Sequence, residues 1–284
     1  FQGHAIEARL CAEDAGQGFL PQSGEIYRWR APQGVRVEHA LESGGVIAPF
    51  YDSMIAKLIA CGRSREEARR KLVRALGETV LLGVRSNARF LAQCLEHESF
   101  RAGEAHTDFV DRHLDSLNAA SESLHSPVLA LAAWLLASGD GDDQSGSVRS
   151  APALPWPTER QLALGAGPVR LRLERLPEGA LRLELEQETF TLKPLSLGGG
   201  QARCVLDGVT VAIDYVRVKD AVWMHALGGN WRVDDCSLRA AVRHQAGAHD
   251  GRLRAALTGR AVSVSVAVGD RVTVGQPLAV LEAM

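Results

Sequence analysis

Hydrophobic and polar positions alternate from Ala5 to Glu13, with Ile6, Ala8, Leu10 and Ala12 on one side and Glu7, Arg9, Cys11 and Glu13 on the other. That period of two predicts a strand buried on one face. Further strands are expected over Glu25 to Arg30 and Gly34 to Glu38, giving an antiparallel sheet. After Pro49-Phe50-Tyr51, the apolar run Met54 to Ala60 ends at Gly62; here Asp52 is read as an N-terminal cap and Lys57 as part of a solvated helix face. Ser64-Arg65-Glu66-Glu67 is a capping box and opens a helix with Ala68, Leu72, Ala75 and Leu76 at helical spacing. A second helix begins near Ser86-Asn87 and buries Phe90, Leu91, Cys94 and Leu95, and a third covers Thr107 to Leu117.

The pattern then changes. Ser126-Pro127 opens a helix holding Leu129, Leu131, Trp134, Leu135 and Leu136, an apolar surface that either packs on its own domain or meets a partner. The polar, glycine-rich stretch that follows predicts a flexible linker over 139–157. Beyond it, Val169, Leu171 and Leu173 alternate with arginine and glutamate, as do Leu181, Leu183 and Leu185. Asp207-Gly208 and Leu227-Gly228 mark tight turns between apolar runs. Seven or eight short strands behind one helix predict a closed or nearly closed barrel, which leaves no exposed sheet edge. In the last stretch of the chain, two valine-rich runs joined through Gly269-Asp270 and Gly275-Gln276-Pro277 predict a small hairpin ending in Leu281-Glu282-Ala283-Met284.

With 284 residues, the chain has room for two or three domains. A formal net charge of −2 supplies no basic field for nucleic acid or an anionic membrane, so neither is an expected partner. The longest apolar run, Val128 to Ala137, is about half of the roughly 20 residues a membrane span needs. Five scattered cysteines with no Cys-x-x-Cys pair argue against a disulfide framework and a zinc site, and fit free thiols in a reducing compartment. His225, His244 and His249 lack metal-ligand spacing, and Gly198-Gly199-Gly200 lacks the context of a phosphate loop, so both groups are read as turn and surface residues and no metal site is expected. Phe1-Gln2-Gly3-His4 has none of the features of a signal peptide, and the chain is expected to begin and end inside domains.

Several stretches carry a resemblance. Gly3-His4-Ala5-Ile6-Glu7-Ala8-Arg9-Leu10, Ala12-Glu13-Asp14, Phe19-Leu20-Pro21, Pro49-Phe50-Tyr51-Asp52-Ser53-Met54 through Ile59, and Leu82-Gly83-Val84-Arg85-Ser86-Asn87 resemble, in order, the C-terminal part of biotin carboxylase. The resemblance implies the later half of the third subdomain of an ATP-grasp fold, with the ATP, magnesium and most catalytic groups upstream of Phe1. It also implies a catalytic role for Arg36, which matches the family arginine placed beside bicarbonate and the ureido oxygen of biotin. A guanidinium suits that task because it is always charged and holds a carboxylate-like anion through two parallel hydrogen bonds. The family usually has Trp-Glu-Ser after this arginine; Val37-Glu38-His39 stands here. From the residues alone, Arg36 is a strand arginine paired with Glu38 across one face, an exposed pair worth at most about 1 kcal/mol.

The ending, Gly269-Asp270 through Gly275-Gln276-Pro277-Leu278 to Glu282-Ala283-Met284, resembles the first half of a biotinyl carrier domain, which implies a biotinylated lysine immediately after Met284. Helix and barrel between the two resemble the BT domain of acyl-CoA carboxylase alpha subunits, which grips the carboxyltransferase beta subunit; this middle region is too short for the TIM barrel of pyruvate carboxylase. The expected chain is therefore an α+β multidomain protein: residues 1–117 the C-terminal part of biotin carboxylase, 118–250 a BT-like helix and antiparallel β-barrel, and 251–284 half of a biotinyl β-sandwich. The implied protein is a hetero-oligomeric ligase of the cytoplasm or mitochondrial matrix. Its cofactors are covalent biotin, ATP, magnesium and bicarbonate, and its partners biotin protein ligase and a carboxyltransferase beta subunit. The compact middle points to methylcrotonyl-CoA or geranyl-CoA as the acceptor on the beta subunit. The alternatives are a propionyl-CoA carboxylase alpha subunit or, for this span alone, a non-catalytic assembly and carrier piece.

Overall fold

In the computed structural model, residues 2–122, 124–138, 157–165, 167–186, 188–237, 259–273 and 276–283 are described. The strand His4–Cys11 runs antiparallel to Met54–Gly62, with His4 opposite Gly62 and Leu10 opposite Ala56. On its other side Met54–Gly62 pairs with Arg36–His39, Arg36 facing Ile59. Ala8, Leu10, Ala56, Leu58 and Ala60 are buried on one face of this sheet.

Met54–Gly62 is thus a strand, and the helical reading of Asp52 and Lys57 is wrong. Periodicity cannot separate a short buried strand from a helix turn; the pairing with His4–Cys11 on one side and Arg36–His39 on the other decides. No helix follows Asp52 for it to cap, and Lys57 faces Glu38 across the sheet.

Helix α1 (Arg65–Glu78) packs on the buried face through Ala68, Leu72, Ala75 and Leu76. Its cap is the predicted one: Ser64 Oγ accepts from the Glu67 amide at 3.2 Å, while Glu67 Oε2 accepts from the Arg63 amide at 2.9 Å, one residue before the cap. Arg69 is 3% exposed and ties α1 to α2 (Ala88–Glu96), donating to the Leu95 carbonyl at 3.1 Å and to Glu96 at 3.0 Å. The Arg69 hydrogen bonds hold Glu66 well below the carboxylate range, at about 2. Phe90 and Leu95 of α2 are buried, Leu91 and Cys94 only half-buried. Helices α3 (Glu98–Ala102) and α4 (Phe109–Glu122) complete this segment around Phe90, Phe109 and Leu117.

Helix α5 (His125–Ala137) has no polar face. Eight antiparallel strands in sequence order, from Thr158–Ala163 to Gly229–Asp235, close around it, the first pairing with the last at Leu162 and Asp235. A helix apolar on every side is stable only when enclosed. Leu131, Trp134 and Leu135 of α5 share one cluster with Leu171, Leu183, Leu192, Ile213 and Met224 from around the barrel. The alternative of a partner-facing surface is excluded for this helix, since Leu129 and Trp134 are 4% and 2% exposed.

The barrel's turns use left-handed backbone. Gly199-Gly200, Asp207-Gly208 and Leu227-Gly228 all have positive φ, as two-residue hairpins matched to strand twist require. Outside, Arg172, Glu174, Arg182 and Glu184 form cross-strand pairs.

Near the C-terminus, Gly259–Val264 pairs with Ala279–Ala283, and Asp270 Oδ2 accepts from the Ala267 amide at 2.8 Å inside the Gly269 turn. The predicted linker over 139–157 lies outside the described residues save Pro157, as do His244, His249 and Met284. Among the described residues no helix is long and apolar enough to cross a membrane.

Trp134→Ala is expected to lower barrel stability by about 3–5 kcal/mol, because the cavity it leaves is walled by strands that cannot collapse inward. Urea unfolding followed by far-ultraviolet circular dichroism measures the loss. A change within about 0.5 kcal/mol would mean that α5 is not enclosed.

Candidate functional site

Four of the five motif stretches meet at one corner of the first segment, joined by hydrogen bonds. Ser53 donates to Glu13, and the Ala12 amide donates to the Ser53 carbonyl at 2.7 Å. Arg85 pairs with Asp14, whose other oxygen accepts from the Gly16 amide at 3.1 Å. Asn87 does not cap α2; its amide group lies along the first strand, accepting from the Cys11 amide at 2.9 Å and donating to the Arg9 carbonyl at 3.3 Å. Gly83 sits where a Cβ would fall 2.0 Å from the Glu25 carbonyl oxygen, at φ +118, so no other residue fits. These residues are architecture: each satisfies a buried or half-buried polar group elsewhere in the chain.

Arg36 stands apart from that corner, on the edge strand beyond the central one. Its side chain is 72% exposed and its Nε donates to Glu38 Oε1 at 2.5 Å, which raises the Arg36 pKa further. The bond to Glu38 is the ion pair expected from two residues sharing a strand face. It engages Nε on a side chain that stays largely exposed. Val37 points the other way, into the sheet's core cluster, and His39 stacks edge-on against Trp29 at 5.0 Å while accepting from the Leu41 amide at 3.1 Å. Val37 and His39 therefore hold the strand that presents Arg36.

Glu282 and Ala283 lie on the last strand, Ala283 opposite Gly259, and Glu282 is exposed with Arg260 at 3.6 Å. Met284 falls outside the described residues. The structure does not bring Arg36 and Glu282 into contact.

No three His, Cys, Asp or Glu side chains among the described residues are grouped so as to hold a metal ion. All five cysteines are free thiols, and burial pushes Cys94 up to about 11 and Cys204, inside the barrel, up to about 12, so neither is a nucleophile at neutral pH. One polar cavity of about 280 Å³ that sequence reasoning missed lies at the start of α4, lined by Ser99, His106, Asp108, Arg112 and His113 among others. His97 and His113 stack behind it at 4.2 Å. The signal in the sequence was three histidines between 97 and 113.

Residues 7–112 match the biotin carboxylase C-terminal domain family. They form a biotin carboxylase C-terminal domain. Over 115 residues the chain is 45% identical to biotin carboxylase of Halalkalibacterium halodurans, covering 40% of this chain and 25% of that one. It is 44% identical to biotin carboxylase 1 of Bacillus subtilis, over 40% of this chain and 26% of the relative. The likeness to the mitochondrial methylcrotonoyl-CoA carboxylase alpha subunit of Dictyostelium discoideum is lower, 29%, but extends over 99% of this chain and 44% of the relative. The chain thus spans less than half the length of these curated relatives. The similarity is to biotin-dependent carboxylases, and the family match over residues 7–112 takes in both the motif corner and Arg36.

Arg36→Ala is expected to change thermodynamic stability by no more than about 0.5 kcal/mol, since the side chain is exposed and its one pair is solvated. Asn87→Ala, which leaves the Cys11 amide and the Arg9 carbonyl without their partner, should cost about 1–3 kcal/mol. Chemical denaturation of both variants separates the two roles; equal losses would contradict the assignment of Asn87 to architecture and Arg36 to a free surface.

Proposed function

We propose that this chain is part of the alpha subunit of a biotin-dependent acyl-CoA carboxylase. In the complete enzyme, ATP and bicarbonate carboxylate a covalently bound biotin, and a carrier module delivers the carboxyl group to a beta subunit that acts on methylcrotonyl-CoA or geranyl-CoA. The observation that supports this most is that the likeness to a methylcrotonoyl-CoA carboxylase runs along nearly the whole chain rather than over the carboxylase domain alone. On this reading residues 1–117 finish the carboxylase, 118–250 make the grip on the beta subunit, and 251–284 open the carrier. Because α5 is enclosed, the grip belongs to the barrel's exterior.

Arg36 is assigned to the carboxylation site. Its exposed guanidinium suits bicarbonate and the ureido oxygen of biotin, where negative charge grows in the transition state and a fixed cation is most useful. Glu38 orients it. ATP and magnesium are assigned, as the family resemblance implies, to the part of the carboxylase that this chain does not span. Biotin is assigned to a lysine immediately after Met284, attached there by biotin protein ligase; as a covalent cofactor it supplies the nitrogen that carries the carboxyl group.

In the complete protein, Arg36→Ala should lower biotin-dependent ATP cleavage by about 10²–10³-fold, the usual effect of deleting one preorganised oxyanion donor; a rate within threefold of wild type would remove Arg36 from the site. Substrate profiling of the purified alpha–beta complex should give the highest kcat/KM with methylcrotonyl-CoA or geranyl-CoA. A preference for propionyl-CoA would refute the substrate assignment.

A further inference from the structure

The strand Val80–Leu82 is buried on both faces. Leu81 packs with Ile26 and Val84, while Val80 and Leu82 pack with Trp223, Val216 and Val218 of the barrel. One edge of this short strand pairs with Arg28–Arg30. Its other edge would be left with an unpaired Thr79 carbonyl and Leu81 amide, a liability for any buried edge.

Both are taken by one barrel side chain. Asn230 Nδ2 donates to the Thr79 carbonyl at 3.0 Å, and the Leu81 amide donates to Asn230 Oδ1 at 3.2 Å. This is the arrangement Asn87 makes on the first strand, where it also serves a carbonyl and the amide two residues on. A side-chain amide used this way substitutes for a neighbouring strand. The two backbone groups fix which end of the Asn230 amide is oxygen, so His225, 3.1 Å away, donates to it from Nδ1. Burial pushes the His225 pKa down.

Asn230 is the last of a row. Gln201, Asp214, His225 and Asn230 stand opposite one another across four adjacent barrel strands. Asp214, 7% exposed, binds Arg30 at 2.8 Å and Arg28 at 3.1 Å and accepts from Gln201 at 3.1 Å. Burial pushes its carboxyl up, but the bonds from Arg30, Gln201 and Arg28 leave it below the usual carboxylate range. Arg28 also donates to the Gly200 carbonyl at 2.7 Å, in the turn that starts the row; a Cβ on Gly200 would lie 2.2 Å from Arg28 Nη2. Gly200, read from the sequence as a turn residue, thus lets the arginine approach.

We infer that the row Gln201, Asp214, His225 and Asn230 is a docking surface for the Arg28–Arg30 and Val80–Leu82 strand pair, so that the barrel and the carboxylase C-terminal domain move as one body. The surface is specific because it sets an acid against two arginines and a side-chain amide against a strand edge. This inference does not rest on the identity of the acyl-CoA.

Hydrogen exchange on the full chain tests it. In the wild type, the Leu81 amide is expected to exchange as slowly as interior amides of the strand Gln201–Leu206. Asn230→Ala, and independently the double change Arg28→Ala with Arg30→Ala, should speed exchange at Leu81 by about tenfold or more while the Gln201–Leu206 amides keep their wild-type rates. Leu81 exchanging in the wild type as fast as the exposed amides around Val268 would overturn the inference. If Asn230→Ala accelerates both regions together, the arginine pair decides, because neither arginine belongs to the barrel: faster exchange at Leu81 alone supports docking, and unchanged exchange refutes it.

Discussion

A three-residue strand with no solvent-facing side constrains the rest of this molecule. Val80–Leu82 is reached from α1 on one end, opens into the Gly83 turn on the other, and is buried by its own domain through Leu81 and by the barrel through Val80 and Leu82. Buried backbone must be paired. The strand Arg28–Arg30 serves one edge and Asn230 the other, so the position of the barrel is written into the hydrogen bonds of the carboxylase domain. Gly83 belongs to the same constraint, since only a residue without a Cβ lets the chain pass the Glu25 carbonyl.

A different constraint, burial of an apolar helix, builds the barrel. Helix α5 offers apolar side chains in every direction, and eight short strands with alternating leucine and arginine or glutamate offer one apolar face each. Wrapping the second around the first satisfies both and leaves no open sheet edge. The exterior is then free to be polar, which is what allows the row from Gln201 to Asn230 to sit on it.

Much of this was legible in the residues. The barrel followed from the alternation at Leu171, Leu173, Leu181, Leu183 and Leu185 and from the Asp207-Gly208 turn. The start of α1 followed from Ser64 and Glu67. Met54–Gly62 was misread because Ile55, Leu58 and Ile59 satisfy a helical face as well as a strand, and only the partner strands on both sides settle it. Of the site residues, Arg36 was found through the family resemblance, and its exposed pairing with Glu38 was visible from strand spacing. The docking row was not legible. Gln201, Asp214, His225 and Asn230 are scattered over 30 positions in sequence and align only through barrel register, while their counterparts lie far upstream.

On the proposed function, a carboxylase domain, a docked barrel and a biotin carrier are successive parts of one enzyme subunit. Intact and peptide mass spectrometry of the complete protein, taken from cells with an active biotin ligase, tests it most directly. The account predicts a biotinyl group on a lysine directly following Glu282-Ala283-Met284. An unmodified residue at that position, or a residue other than lysine there, would contradict it.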